Sequence, residues 1–285
     1  MEPQHRQIDL ADGYRAHCRW WEPASVRGGV LYLHGIQSHG GWFERSASAL
    51  AASGWAVVMP DRRGSGANQS DRGHAHDADQ LIADVWSVAA TAMDTWKLDA
   101  LHWVGVSWGG KLAPVAAAVN PDAVKSLTLV APGLKANVDV PAWTKLLIAL
   151  GAWLTPKALF SIPLNDSALF TDQSSARTFI DDDPLRLHKA TASFLMASHH
   201  LDRRLLSALA SQRCPVRLFL AGNDRIIDNN RTTRLIVGGS FGHIRIFRYP
   251  GATHTLEFEA EPARFLDEIV NLNAALHDPP LLDGG

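Results

Sequence analysis

The sequence predicts an α/β fold: a mostly parallel central sheet with helices on both faces and one helical insertion. Three observations carry that expectation. Short apolar runs ending in Gly, Ser or Asp recur along the 285-residue chain, each followed by a longer amphipathic stretch. The runs are nearly continuous rather than alternating, as strands buried on both faces require. One stretch, residues 134–213, breaks the rhythm.

The elements follow in order. Tyr14 to Trp21 reads as an added edge strand. Val30-Leu31-Tyr32-Leu33 runs into His34-Gly35, and Trp55 to Met59 runs into Pro60-Asp61. Leu101 to Val106 runs into Ser107, and Val124 to Val130 into Ala131-Pro132-Gly133. Val216 to Leu220 runs into Ala221-Gly222-Asn223-Asp224, and Ile244 to Phe247 into Tyr249-Pro250-Gly251. Helices are predicted over Trp42 to Ser53, Asp77 to Trp96, Trp108 to Val119, Asp228 to Val237 and Glu261 to Leu276. In the second of these, Leu81, Val85, Val88, Ala89 and Ala92 form one apolar stripe. Alternation of this kind implies right-handed crossovers.

Residues 134–213 show no strand-like run. They hold an apolar helix candidate, Trp143 to Trp153, and the breakers Pro156, Pro163 and Pro184. The predicted organisation is a core of residues 1–133 and 214–277, an insertion of residues 134–213 over the sheet, and a disordered tail at 278–285.

Composition narrows the function classes. The chain is 46% apolar and 20% charged, enough apolar material for a large core, and its net charge of −2 points to neither nucleic acid nor an anionic membrane. Two distant cysteines, Cys18 and Cys214, make neither a disulfide framework nor a metal-ligand spacing. No signal peptide is seen, and no run approaches the about 18 apolar residues of a transmembrane segment. The expectation is a soluble, cytoplasmic protein.

Gly105-Val106-Ser107-Trp108-Gly109 carries the chemistry. In a G-x-S-x-G turn a strand bends sharply into a helix, holding the serine strained and exposed. Glycines two residues to either side leave room for the bend. The motif alone is weak, but an apolar strand precedes this one and an Ala-rich helix follows it. A serine hydroxyl needs a base, and the base needs an orienting group. The expected chain order is Ser, then an acid, then His. His254 lies directly after the last strand, where such sites sit, whereas His188, His199 and His200 lie in the insertion and His243 precedes a strand. Asp224 ends the preceding strand and is the expected acid; Asp228 opens the next helix and suits an N-cap. The oxyanion needs two backbone donors. These map to Trp108 and to the loop His34-Gly35-Ile36-Gln37, with Ile36 the expected donor because only its N–H is used.

The ordered set His34-Gly35, Asp61-Arg62-Arg63-Gly64-Ser65-Gly66, Gly105 to Gly110, Gly222-Asn223-Asp224-Arg225 and Gly251-Ala252-Thr253-His254 resembles the α/β-hydrolase superfamily over about residues 8–275. It is most similar to the branch of monoacylglycerol lipases, lysophospholipases and serine aminopeptidase-like hydrolases. That resemblance implies the α/β-hydrolase fold, with residues 134–213 as a helical cap shaping an acyl pocket. Asp181-Asp182-Asp183-Pro184-Leu185 resembles an Asp-Pro-Leu segment of that cap. There are departures. Monoacylglycerol lipases usually carry Gly-Glu-His where this chain has Gln37-Ser38-His39. The Asp61-Arg62-Arg63-Gly64 turn and the Trp in Gly-x-Ser-Trp-Gly look closer to proline iminopeptidase-like relatives. Lys111, one turn after Ser107, is unusual and reads as a lysine snorkelling from its helix.

The leading expectation is hydrolysis of a small-molecule carboxylic ester with an apolar part, using Ser107, His254 and Asp224, without cofactor or metal. Leu147 and Leu150, on the apolar helix, are expected to line the acyl pocket or its mouth. The runner-up is a proline iminopeptidase-like aminopeptidase, whose substrate amine needs a carboxylate anchor such as Asp181, Asp182 or Asp183. A non-catalytic scaffold is disfavoured because all three triad members have a place. Oligomeric state and natural substrate are not legible in the sequence.

Overall fold

A computed structural model describes residues 1–239 and 241–273. Its strands are β1 (Gln4–Asp9), β2 (Arg15–Trp21), β3 (Gly28–Leu33), β4 (Trp55–Pro60), β5 (Leu101–Val106), β6 (Val124–Val130), β7 (Leu159–Ser161), β8 (Lys189–Thr191), β9 (Val216–Ala221) and β10 (Ile244–Tyr249). The helices are α1 (Glu44–Ala52), α2 (Ala78–Trp96), α3 (Gly109–Ala117), α4 (Ala142–Leu154), α5 (Ser174–Asp182), α6 (Ala192–Ser211), α7 (Asn229–Val237) and α8 (Ala263–Ile269). Eight strands form one sheet in the order β1-β2-β4-β3-β5-β6-β9-β10. From β4 to β10 every pairing is parallel, while β1–β2 and β2–β4 are antiparallel. Every residue of β3, β4, β5 and β9 is buried, so both sheet faces are covered. The α/β class predicted from the apolar rhythm is the class observed.

The differences have physical causes. The stretch expected as an edge strand, β2, is internal; the edge is β1. β1 has the sequence Gln-His-Arg-Gln-Ile-Asp and is mostly exposed, so it has almost no hydrophobic signal. Its ladder to β2 runs from Gln4–Trp20 to Asp9–Arg15, through backbone groups that hydropathy does not register. The segment between β6 and β9 was expected to lack strands, yet it contains the antiparallel pair β7–β8. Each of these strands is three residues long, too short to show a period. The last helix among the described residues is α8; the end of the helix predicted to Leu276 and the predicted tail at 278–285 lie outside the described residues.

One charged residue sits inside an apolar strand. Arg217 of β9 is fully buried. Its guanidinium bonds the carbonyls of Ile269 (3.1 Å) and Glu268 and lies over the rings of Phe219 and Phe247. It thus serves orphan carbonyls at the end of α8, where a cation also suits the helix dipole.

A buried carboxyl anchors the chain just after His254. Glu257 accepts the Ser46 N–H of the first turn of α1 at 2.8 Å, and its Oε2 has no partner among the described residues. Burial pushes its pKa from 4.5 up to about 7, against the lowering effect of the bonds from Ser46. The folded state therefore holds a proton that the unfolded state releases between pH 4.5 and about 7. The stability this confers is complete below the lower value and is lost as pH rises through the upper one. Glu257→Gln, which stays neutral, should melt higher than wild type at about pH 8 and show a shallower fall in Tm from about pH 5 upward. Parallel Tm-against-pH curves for the two proteins would refute this.

Candidate active site

Ser107 stands in the turn between β5 and α3 with φ +51°, in the left-handed region. For a residue with a Cβ that conformation costs about 1–2 kcal/mol. The backbone around it is held on both sides. The Ser107 N–H donates to the Val130 carbonyl at 2.9 Å, and the Ser107 carbonyl accepts from Gly110 (2.9 Å) and Gly133 (2.7 Å). The flanking glycines are steric requirements. A Cβ on Gly109 would stand 2.3 Å from the Leu33 carbonyl oxygen, and one on Gly105 2.6 Å from that of Gly109. The closeness of β3 to the start of α3 thus depends on hydrogen at these positions.

His254 follows β10 in a loop fixed at its neighbours. The Thr253 N–H and hydroxyl donate to Glu259 at 2.7 and 2.6 Å, and the Thr255 N–H donates to the Phe170 carbonyl at 2.9 Å. His254 Nδ1 lies 2.8 Å from Asp224 Oδ2. An ionised carboxylate only accepts, so Nδ1 carries the proton and Nε2 presents a lone pair. The other oxygen, Asp224 Oδ1, accepts the N–H groups of Ile226 (2.8 Å) and Ile227 (2.9 Å). Asp228 caps α7 by accepting the Arg231 N–H at 2.9 Å. Two carboxylates four residues apart therefore do separate jobs.

His254 Nε2 is buried and has no partner among the described residues. It shares with Ser107 the wall of a small cavity. Ile36, Gln37, Trp42, Phe170 and Thr255 also line it. Neither the Ile36 nor the Trp108 N–H donates to an acceptor among the described residues. The loop that carries Ile36 is tightly fixed. The Gly35 N–H donates to Ser38 Oγ (2.9 Å), and Gly35 O accepts from His34 Nδ1 (2.8 Å). His34 Nε2 accepts the Arg62 N–H (2.8 Å). Burial, then the Arg62 charge, pushes the His34 pKa down to about 3, so the ring is neutral and its tautomer is set by these two bonds.

The segment between β6 and β9 reaches the same loop. The Leu187 N–H donates to the Gln37 carbonyl at 2.9 Å, and buried Arg186 donates to Gln37 Oε1 at 3.2 Å. Asp183 accepts from His39 Nε2 (3.1 Å) and Trp42 Nε1 (2.7 Å). Trp108 Nε1 donates to Ser198 of α6 at 2.9 Å. Sequence reasoning found none of these pairs, whose partners lie about 90 to 150 residues apart. Lys111 does not snorkel: it is buried and pairs with Asp202 of α6 at 2.7 Å.

Leu147 and Leu150 are each 46% exposed and are not among the residues that wall the Ser107 cavity. The buried or half-buried residues of α4 are Thr144, Ile148, Gly151 and Ala152. A Cβ on Gly151 would approach Ala192 at the start of α6 to 3.2 Å. The helix seats its smaller residues and turns its bulkiest ones outward. Periodicity alone marks the opposite stripe.

Known proteins of similar sequence and structure place the chain in a family. The family described as serine aminopeptidase, S33, matches residues 24–261. The monoglyceride lipase of Rattus norvegicus is 24% identical over 271 residues, covering 94% of this chain and 86% of that protein. The Homo sapiens monoglyceride lipase is 24% identical over 87% of this chain and 82% of its own length. Among solved structures, a monoacylglycerol lipase of Paleococcus ferrophilus superposes with a TM-score of 0.81 at 21% identity, over 92% of this chain and 100% of that one. A soluble variant of the Saccharomyces cerevisiae monoglyceride lipase, solved with a substrate analog, gives 0.84 at 17% identity over 96% of each chain. At these identities the solved structures establish the fold.

Proposed function

Because the chain belongs to the serine aminopeptidase S33 family of α/β-hydrolases, we propose that it cleaves carboxylic esters with an apolar part through an acyl-enzyme. The observation that carries this reading is the state of His254: Nδ1 is bonded to Asp224, while Nε2 is unpartnered in the cavity that holds Ser107. In the proposed reaction Ser107 Oγ attacks the ester carbonyl and His254 Nε2 takes its proton. The N–H groups of Ile36 and Trp108 hold the oxyanion. The alcohol leaves with the proton from His254; water, deprotonated by the same nitrogen, then releases the acid. Residues 134–213 act as the cap over this chamber.

The relatives named as monoglyceride lipases support an ester substrate with an acyl chain. Two of the three carboxylates considered as amine anchors, Asp181 and Asp183, are already engaged, which supports an ester over a peptide with a free amine. Asp183 is engaged by His39, Trp42 and the Leu185 N–H, and Asp181 by Ser167 and Arg186. Cys18 and Cys214 are both free, which fits the reducing compartment we assign to the protein.

Three substitutions test the triad. Ser107→Ala should abolish ester turnover and labelling by a fluorophosphonate while keeping the melting temperature. Asp224→Asn should lower kcat by a factor on the order of 10⁴ by upsetting the histidine tautomer. Asp228→Asn, where asparagine caps a helix as well as aspartate, should leave kcat nearly unchanged. Ester turnover retained by Ser107→Ala, or the reverse ranking of the two aspartates, refutes the assignment.

The apolar face of α4 supports a further expectation. Trp143, Leu146, Leu147, Leu150, Trp153 and Leu154 are all exposed on it. We assign this face to capture of long acyl chains at the cap. Leu147→Ser with Leu150→Ser should raise KM for decanoate esters far more than for acetate esters, each buried CH₂ being worth about 0.8 kcal/mol. Both side chains are half out of the fold, so the melting temperature should hold. An unchanged chain-length profile removes α4 from substrate capture.

A further inference from the structure

Two arginines stand side by side in the turn after β4, and they are treated differently. Arg63 is fully paired, bonding Asp84 through Nε (2.8 Å) and Nη2 (2.7 Å) and Asp12 at 3.0 Å. Arg62 makes no ion pair among the described residues. Its Nη2 donates one bond, to the Ile36 carbonyl at 2.8 Å. Its Nε and Nη1 are buried without an acceptor among the described residues. Its guanidinium lies over the rings of Trp108 (5.0 Å) and Phe194 (4.5 Å).

Burying an unpaired cation costs several kcal/mol, and an apolar side chain of similar volume is often as stable or more so. Packing does not ask for a charge here. The cavity on this side is walled by apolar residues such as Leu33, Val85 and Leu112 and by the carboxylates of Asp61 and Asp84, which already have cationic partners in Arg19 and Arg63, and neither Ser107 nor His254 lines it. The cation instead touches both segments that carry the proposed oxyanion donors, Ile36 through its carbonyl and Trp108 through its ring.

Arg62 also controls the peptide planes on both sides of Ile36. Its backbone N–H donates to His34 Nε2, and His34 Nδ1 donates to Gly35 O. The Gly35 carbonyl belongs to the same peptide unit as the Ile36 N–H. A peptide whose carbonyl accepts a hydrogen bond is polarised and becomes a stronger donor. The next peptide unit, Ile36–Gln37, is fixed by the Arg62 guanidinium. Burial and the Arg72 charge push the Arg62 pKa down to about 9, so the guanidinium stays charged at neutral pH. In a low-dielectric surrounding that charge is weakly screened.

We propose that Arg62 is a positioning residue of the oxyanion hole, whose guanidinium locks the Ile36 carbonyl and sets an unpaired positive charge behind the two N–H donors. This rests on reading Ser107 as an acyl-transfer nucleophile. The charge acts on the tetrahedral oxyanion and little on the neutral ester, so it lowers the barrier without tightening ground-state binding.

The test uses Arg62→Met, Arg62→Gln and Arg62→Lys in the full chain. The readouts are kcat and KM for a short ester, melting temperature, and inhibition by a trifluoromethyl ketone, which gives a hemiketal oxyanion on an active serine. Arg62→Met should lose about 10- to 100-fold in kcat, below the 10²–10³ that follows loss of a donor itself, with KM nearly unchanged. Ketone affinity should fall in step with kcat/KM, and the melting temperature should hold or rise. Arg62→Gln retains a donor without the charge and Arg62→Lys retains the charge without the stacked plane, so each should fall between. Should Arg62→Met not fold, these two decide by the same readouts. Wild-type kinetics and ketone affinity in the folded variants overturn the proposal, as does a lowered melting temperature with kinetics unchanged. A wild-type protein that neither turns over esters nor reacts with a fluorophosphonate overturns the hydrolase reading itself, and this proposal with it.

Discussion

The backbone of Ser107 is the constraint around which the molecule is arranged. A non-glycine residue at φ +51° persists only where its surroundings over-determine it. Here β6 and the chain after it do so, through Val130 on one side and Gly133 on the other. That geometry requires β5 beside β6 in parallel register, Gly105 and Gly109 with no side chains, and the end of β3 pressed against the start of α3. The same approach brings the β3 loop with Ile36 up to the serine: a Cβ on Gly35 would stand 3.4 Å from that of Ser107. The sheet order is thus what makes one strained residue affordable and places its neighbours.

Around that point the buried polar groups form chains that run to distant parts of the fold. From His254 one chain passes through Asp224 to the backbone of Ile226 and Ile227. From the Ile36 loop another passes through His34 to Arg62. Gln37 extends the loop to Arg186 and Leu187 in the insertion. Partly satisfied networks in a low dielectric are costly, and fully satisfied ones are rigid. Buried polar atoms without a partner among the described residues occur in several parts of the fold, at Trp20, Trp103, Arg217 and Glu257 for example; at the cavity they are His254 Nε2 and Gln37 Nε2, with Arg62 Nε and Nη1 behind.

The segment between β6 and β9 meets the rest of the fold through buried apolar residues such as Phe170 and Phe194 and through polar contacts that clamp the loops of the cavity, and it leaves the apolar side of α4 open. α6 ties the two parts together, holding the Trp108 indole through Ser198 and the Lys111 ammonium through Asp202. A change in the seating of α6 therefore acts on the residue that follows Ser107.

Local signals in the sequence determined the α/β class and the succession of buried strands along the chain, and they singled out the candidate site residues. Each is a short-range property: a run of apolar residues, a glycine that a turn requires, an acid and a base at strand ends. Asp224 was separable from Asp228 because helix capping is itself local. What hydropathy does not encode was decided by tertiary structure. The polar edge strand β1 exists through its backbone ladder to β2, and β7 and β8 are too short to carry a period. The outward turn of α4 follows from which residues fit against α6, and the bulkiest do not. Arg62 and Arg63 are identical in sequence and adjacent, yet one is paired and the other is not. Asp84, the Ile36 carbonyl and the Phe194 ring come from three separate elements, and only folding sets them at distances where charge and burial take effect.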